Sequence, residues 1–269
     1  MTIISSRSNP KIKQIRALRG RKARQETGLF LVEGIRHVGE AVQAAAEPQT
    51  GIQLESMCYA PDRLHSQFAQ KLVSEQSARG LPCYAVTADV FDSLADKENP
   101  QGILAVVRQP EHRLEHLGPH NFSWGVALVS PQDPGNLGAI LRTIDATGAG
   151  GLLLLESSAD PYHPSAVRAS MGALFWLPVV NTSFSEFEKW ARGHAYHIYG
   201  TSAHGSLDYR QVESYGWPRI LLMGSEREGL SPEQAAVCKQ LIRLPMLGRA
   251  SSLNLAVATG VFLYAMMEA

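Results

Sequence analysis

The chain has 269 residues, 45% of them hydrophobic and 19% charged, with 25 basic and 25 acidic side chains. That length buries roughly 70 to 75% of the unfolded surface and lies where one core divides into two. No apolar run reaches the roughly 18 residues of a membrane span, and three cysteines, Cys58, Cys83 and Cys238, with no C-x-x-C pair, suggest neither a disulfide framework nor a zinc knuckle.

The opening MTIISSRSNPKIK lacks the apolar stretch of a secretory leader, so a cytoplasmic protein is expected. Zero net charge hides an asymmetry. Residues 1–24 carry eight cations and no acid, and the remainder has a formal charge of −8.

In chain order, SNPKIKQIRALRGRK reads as a helix with Ile12, Ile15 and Leu18 on one face, Ser8 or Asn9 as cap and Pro10 in the first turn. A buried strand GLFLVEG, a helix IRHVGEAVQAAA, a strand IQLESMCYA and a helix SQFAQKLVSEQSA follow, and PCYAVT and GILAVV close a first domain, residues 1–107. Residues 108–123 carry two prolines, three histidines and little periodicity, and are expected to be a linker. His112, His116 and His120 would form a row on a helix, but Gly118-Pro119 breaks it, so no metal site is expected.

The second domain, 124–269, begins with the strand WGVALVS, the helix in DPGNLGAILRTIDAT and the strand GLLLLE. A helix SAVRASMGALF, a strand WLPVV, a helix SEFEKWARG, a strand AYHIYGT and an edge-like SLDYRQV come next. A strand RILLMG, a short apolar run LIRLPM and a last helix started by Ser251 or Ser252 complete it. Strands alternating with helices predict an α/β fold with a mostly parallel sheet, whose ligands bind beyond the carboxyl ends of the strands.

Three segments carry polar residues that this pattern does not require. In the first, the glycines of SPQDPGNLGAILRTIDATGAGG do not fit G-x-G-x-x-G between strand and helix, and no Walker A pattern exists, so a dinucleotide or triphosphate loop is not expected. Asp133-Pro134-Gly135-Asn136 reads as a turn. Asn136 and Arg142, six apart, can both lie along one side of the helix that follows, aimed at a ligand; an exposed, salt-bridged arginine is the plainer reading. The second segment, LLMGSEREGLSPE, is a strand ending in a loop with Glu226, equally readable as a solvated carboxylate. In the third, LIRLPMLGRASSLNLAVATG, Ser252 and Asn254 fit helix caps as well as a site.

Together, DPGNLGAILRT, MGSEREGLS and LPMLGRASSLNLAVATG resemble, in order and spacing, the three motifs of the SpoU, or TrmH-type, RNA ribose 2'-O-methyltransferases of the SPOUT superfamily. SNPKIKQIRALRGRKARQETGLFLVEG and NPQGILAVV are similar to the two ends of the L30e-like substrate-binding domain that many members carry. Three positions depart from the pattern: Asp133 stands where asparagine is usual, Arg227 where glycine is common, and Ser251 where glutamate is frequent.

The resemblance implies a second domain with a deep trefoil knot, an exception to the rule against threaded chains. It implies S-adenosylmethionine bound near Leu222, Gly224, Leu244, Met246, Ser252 and Leu253, with Leu221, Met223 and Leu247 further candidates for an apolar slot. It makes Asn136, Arg142, Glu226, Ser252 and Asn254 the catalytic group. Arg142 stays protonated and suits the gripping of a phosphate and a developing alkoxide better than general-base work.

A homodimer is implied, with Arg142 facing the neighbour's cofactor. The substrate is RNA, with ribosomal RNA favoured over transfer RNA. Arg7, Lys11, Lys13, Arg16, Arg19, Arg21, Lys22 and Arg24 then read as phosphate contacts rather than a solvated face. A catalytically inactive RNA-binding module of the same fold is the alternative.

Overall fold

The computed structural model describes residues 3–96, 99–203 and 205–267. The chain divides into two units, one of residues 1–111 with 162–176, the other of residues 112–161 with 177–269. The second domain expected as one continuous piece therefore surrenders an internal segment.

In the first unit, α1 (Pro10–Ala17) starts where Asn9 accepts a hydrogen bond from the Lys11 amide, and Pro10 costs nothing at a position whose N–H is unpaired anyway. Gly20 separates it from α2 (Arg21–Thr27), so the single expected helix is two. Then come β1 (Leu29–Glu33), α3 (Ile35–Ala45), β2 (Gln53–Tyr59), α4 (Gln67–Ala78), β3 (Cys83–Ala85), α5 (Ala88–Asp92) and β4 (Ile103–Arg108). The sheet order is β1-β4-β2-β3, with β4 antiparallel to both neighbours and β2 parallel to β3. Ile12, Ile15 and Leu18 pack into one core with Val90, Phe91 and Leu104, which ties α1 to α5 and the sheet.

The segment 162–176 completes this unit. Tyr162 and Phe175 pack on Phe30 of β1, with ring centroids 4.8 and 6.4 Å away. Arg168 pairs with Asp96, and the Trp176 indole donates to Glu40 at 3.4 Å. Of the expected helix SAVRASMGALF only a short helix forms, ending before Met171 and Gly172, both at positive φ, turn the chain.

In the second unit the chain runs β5 (Trp124–Val129), α6 (Pro134–Thr147), β6 (Leu152–Leu155), α7 (Pro164–Ala169, the helix of the inserted segment) and β7 (Val179–Thr182). It continues through α8 (Phe184–Gly193), β8 (His197–Thr201), β9 (Leu207–Asp208), β10 (Arg219–Met223), α9 (Pro232–Ala236), β11 (Gln240–Arg243) and α10 (Leu255–Met267). Seven strands pair in the order β7-β6-β5-β10-β8-β11-β9, and every pairing is parallel. Such strands are covered on both faces, which is why β6 is four leucines in a row, all buried. Trp176 and Leu177, expected in a strand, precede β7.

Arg219 is 0% exposed. Its guanidinium lies 3.8 Å from the Trp217 ring centroid and 5.1 Å from that of Trp124, and it donates to the carbonyls of Tyr215 (2.9 Å) and Met266. These carbonyls and ring faces offset the desolvation of the guanidinium, which here ties the end of α10 to β10.

Candidate active site

The strand order brings the carboxyl ends of β8, β10 and β11 side by side, and a cleft of about 1010 Å³ opens beyond them. Its walls come from the ends of these strands, from the start of α6 and from the loop leading into α10.

The loop after β10 is a tight, prefolded turn. Ser225 and Gly229 exchange both backbone hydrogen bonds, at 3.1 and 3.0 Å, and the Glu228 amide donates to the Ser225 hydroxyl at 3.2 Å. Gly229 takes the left-handed backbone, φ 70°. At Gly224 the chain doubles back so closely that a Cβ would lie 2.2 Å from the Gly229 carbonyl carbon, so only glycine fits. Glu226 accepts a 3.4 Å hydrogen bond from the Gln132 amide, linking this turn to the loop before α6.

The start of α10 meets the start of α6. Asn254 caps α10, its Oδ1 accepting from the amides of Ala256 (2.9 Å) and Val257 (3.3 Å), while its Nδ2 donates to Oδ1 of Asn136 at 3.0 Å. One amide side chain thus orders a helix terminus and reaches a residue 118 positions away. The cap is neither Ser251 nor Ser252; both are exposed on the cleft wall.

Asn136, Glu226, Ser252 and Asn254 therefore share one cleft, and Gly224, Leu244, Met246 and Leu253 line it as well. Leu222 does not: it is fully buried in the core, because alternation along β10 turns it away and leaves Met223 on the wall. Leu221 is buried too, and Leu247, at 98% exposure, points to solvent rather than into an apolar slot. Arg142 stands apart: it is exposed on α6, outside the cleft lining, and has no polar partner among the described residues. Glu226 makes no hydrogen bond to Arg142 among the described residues; its bond to the Gln132 amide ties its own loop to the one before α6.

Sequence reasoning missed Thr201, Ser202 and Arg243, which line the cleft. Their signal was position at or next to the carboxyl ends of β8 and β11, which the parallel-sheet rule marks before any motif does.

The basic segment of the other unit is folded rather than free. Arg7 pairs with Asp89, Arg19 with Asp96 and Lys22 with Glu26, while Lys11 lies over the Tyr84 ring. Arg16 donates to Ser93 and to the Arg7 carbonyl. Arg24 is 1% exposed and donates to the carbonyls of Leu18 and Arg19, where it closes the α1–α2 corner; no phosphate can reach it. Lys13, Arg21 and Lys22 are exposed.

The SpoU rRNA Methylase family model matches residues 123–264, the stretch that supplies every wall of this cleft. The chain belongs to the SpoU rRNA methylase family. A model of the MRM3-like substrate binding domain matches residues 9–105. Among SpoU relatives, a 23S rRNA (uridine(2479)-2'-O)-methyltransferase of Streptomyces viridochromogenes is 35% identical over 97% of this chain and 90% of its own. The 23S rRNA (guanosine(2553)-2'-O)-methyltransferase RlmP of Bacillus subtilis is 30% identical over 98% of each. A solved AdoMet-bound rRNA methyltransferase from Sinorhizobium meliloti superposes with a TM-score of 0.88 at 34% identity, covering 99% of this chain and 97% of that one.

Proposed function

We propose that this protein transfers a methyl group from S-adenosylmethionine to a ribose 2'-hydroxyl of ribosomal RNA. The observation that carries the reading is the Asn254–Asn136 hydrogen bond, which closes the first and third motifs onto the cleft that the Gly224 turn also borders.

The residues present fit such a cofactor. The cleft has the size of a small-molecule site. Met223, Leu244 and Met246 give it apolar wall for a flat base, and the backbone at Gly224 is bare where a side chain has no room. When bound, the cofactor supplies an electrophilic methyl group on a sulfonium. Asn136, Ser252 and Asn254 hold the ribose in line with that methyl, and positioning of this kind supplies much of a displacement's rate. Glu226, through the Gln132 amide, fixes the turn against the α6 loop.

Arg142 grips the phosphate beside the target ribose and stabilises the alkoxide that develops as the 2'-hydroxyl gives its proton to solvent water and S-adenosylhomocysteine leaves with the sulfur's electron pair. Because it lies off the cleft of its own chain, it serves the cleft of a second copy, and the protein works as a homodimer. A second cavity of about 770 Å³, bordered by Thr143, Ala256 and Gly260, supports close approach of another chain there. The knot belongs to the same reading, formed where the loops around β10 and β11 pass through one another. Its support is the non-sequential order β5-β10-β8-β11. Lys13, Arg21 and Lys22 contribute phosphate contacts from the first unit, and the work is cytoplasmic.

The test is incubation with labelled S-adenosylmethionine and ribosomal RNA from a strain lacking the protein, followed by mapping of 2'-O-methyl positions. Label on a base, or no label, sinks the reading. Arg142→Ala is expected to abolish transfer and spare cofactor binding. Mixed with Asn136→Ala it should regain part of the activity, since one site of the mixed dimer is then intact; no recovery would place Arg142 in the cleft of its own chain.

A further inference from the structure

Arg227 stands in the turn after β10, where the resemblance of the second motif leads to the expectation of glycine. The turn does not need that freedom here: the left-handed residue is Gly229, and Arg227 is absent from the residues with positive φ. Nor does the close approach fall there, since it is made at Gly224. The backbone thus tolerates any side chain at 227, and an arginine is what this chain places on the cleft wall.

Its guanidinium is uncommitted. Arg227 is exposed and has no polar partner among the described residues, although acids flank it on both sides. Glu226 is engaged with the Gln132 amide. The other arginine lining the cleft, Arg243, is half-buried and paired in register with Asp208, whose carboxyl is drawn down to about 2, first by Arg210 and also by the Arg243 charge. Arg227 is the more exposed of the two and stands on the cleft lining that also carries Ser252 and Asn136.

A planar five-donor cation held at the mouth of a cleft is built to take a phosphate two oxygens at a time. We infer that Arg227 binds a backbone phosphate of the RNA substrate at the mouth of its own cleft, a contact that glycine at this position cannot make. This rests on the RNA-methylating function proposed above. Met223, Leu244 and Met246 line the same cleft and are left, with the Gly224 backbone, to the cofactor.

The test compares Arg227→Ala, Arg227→Gly and Arg227→Lys with the parent protein. It measures methyl-transfer kinetics, direct RNA binding by gel shift across a potassium chloride series, and S-adenosylmethionine binding by calorimetry. Alanine and glycine are each expected to raise the RNA KM and Kd about fivefold, the upper range for one exposed ion pair. They should lower the slope of log affinity against log salt by about one and leave kcat and cofactor affinity unchanged. Lysine should keep the slope and recover part of the affinity. An unchanged slope and Kd in the alanine variant overturns the inference, as does weakened cofactor binding with RNA binding intact. If the parent protein methylates no ribose, the function proposed above fails, while the gel shifts still decide whether Arg227 holds a phosphate.

Discussion

Asn254 does two things that sequence reasoning set against each other. As a cap it accepts two amide hydrogen bonds at the start of α10, and as a site residue it donates to Asn136. Both readings were legible, and both hold because an amide has an acceptor at one corner and donors at the other. The two roles separate by substitution. Asn254→Asp keeps the cap and loses the donor, so its melting temperature should stay near that of the parent while methyl transfer collapses. Asn254→Ala should lose activity and about 1 kcal/mol of stability as well; equal stability of the two variants would mean that the cap contributes nothing. Arg24 teaches the opposite lesson. Counting charge along the sequence placed it among phosphate contacts, yet its chain folds back to satisfy two carbonyls, a tertiary arrangement that no local pattern encodes.

At the scale of elements, periodicity identified nearly every strand and helix, because buried parallel strands are apolar throughout and surface helices are apolar along one stripe. It missed α5 and α9, five residues each, which carry too little pattern to register, and it joined α1 to α2 across Gly20. It also placed Leu222 on the cleft. That error came from reading β10 as a block of apolar residues, when the period of two assigns alternate side chains to opposite faces. The turn after β10 was legible as a motif but not as a shape. Its shape makes a sharp forecast: Gly224→Ala drives a methyl group into the Gly229 backbone. Calorimetry should detect little or no binding of S-adenosylmethionine to a protein that otherwise retains its circular dichroism spectrum. Binding within twofold of the parent would mean that the turn is free to open.

Over the whole molecule, the sequence divided into two domains, but the ownership of residues 162–176 was hidden. They lie between β6 and β7 of the second unit's sheet and pack on the first unit through Tyr162, Phe175 and Arg168. Only contacts far apart in sequence decide this, and propensity is blind to them. The Asp96–Arg168 pair makes the arrangement sensitive to acid. The Arg168 hydrogen bond, with help from the Arg19 charge, holds the Asp96 carboxyl below the usual carboxylate range. A group whose folded value is depressed contributes fully above its unfolded value, near 3.9, and loses that contribution as pH falls through the lower folded value. Asp96→Asn should therefore be less stable than the parent at neutral pH, with the gap closing from about pH 4 downward. A gap that stays constant across a melting series in pH would contradict the assignment.

The same segment bears on the order in which the protein is made. A contiguous N-terminal domain can finish folding while the rest of the chain is still being synthesised. Here Phe30 waits for Tyr162 and Phe175, and the 65 residues from 112 to 176 must be added first. At common elongation rates that takes about 3 to 13 s. During that interval the nascent first unit carries an uncovered aromatic face, and β5 and β6 emerge before it is closed. The ribosome thus delivers the later unit's first strands into the folding window of the earlier one.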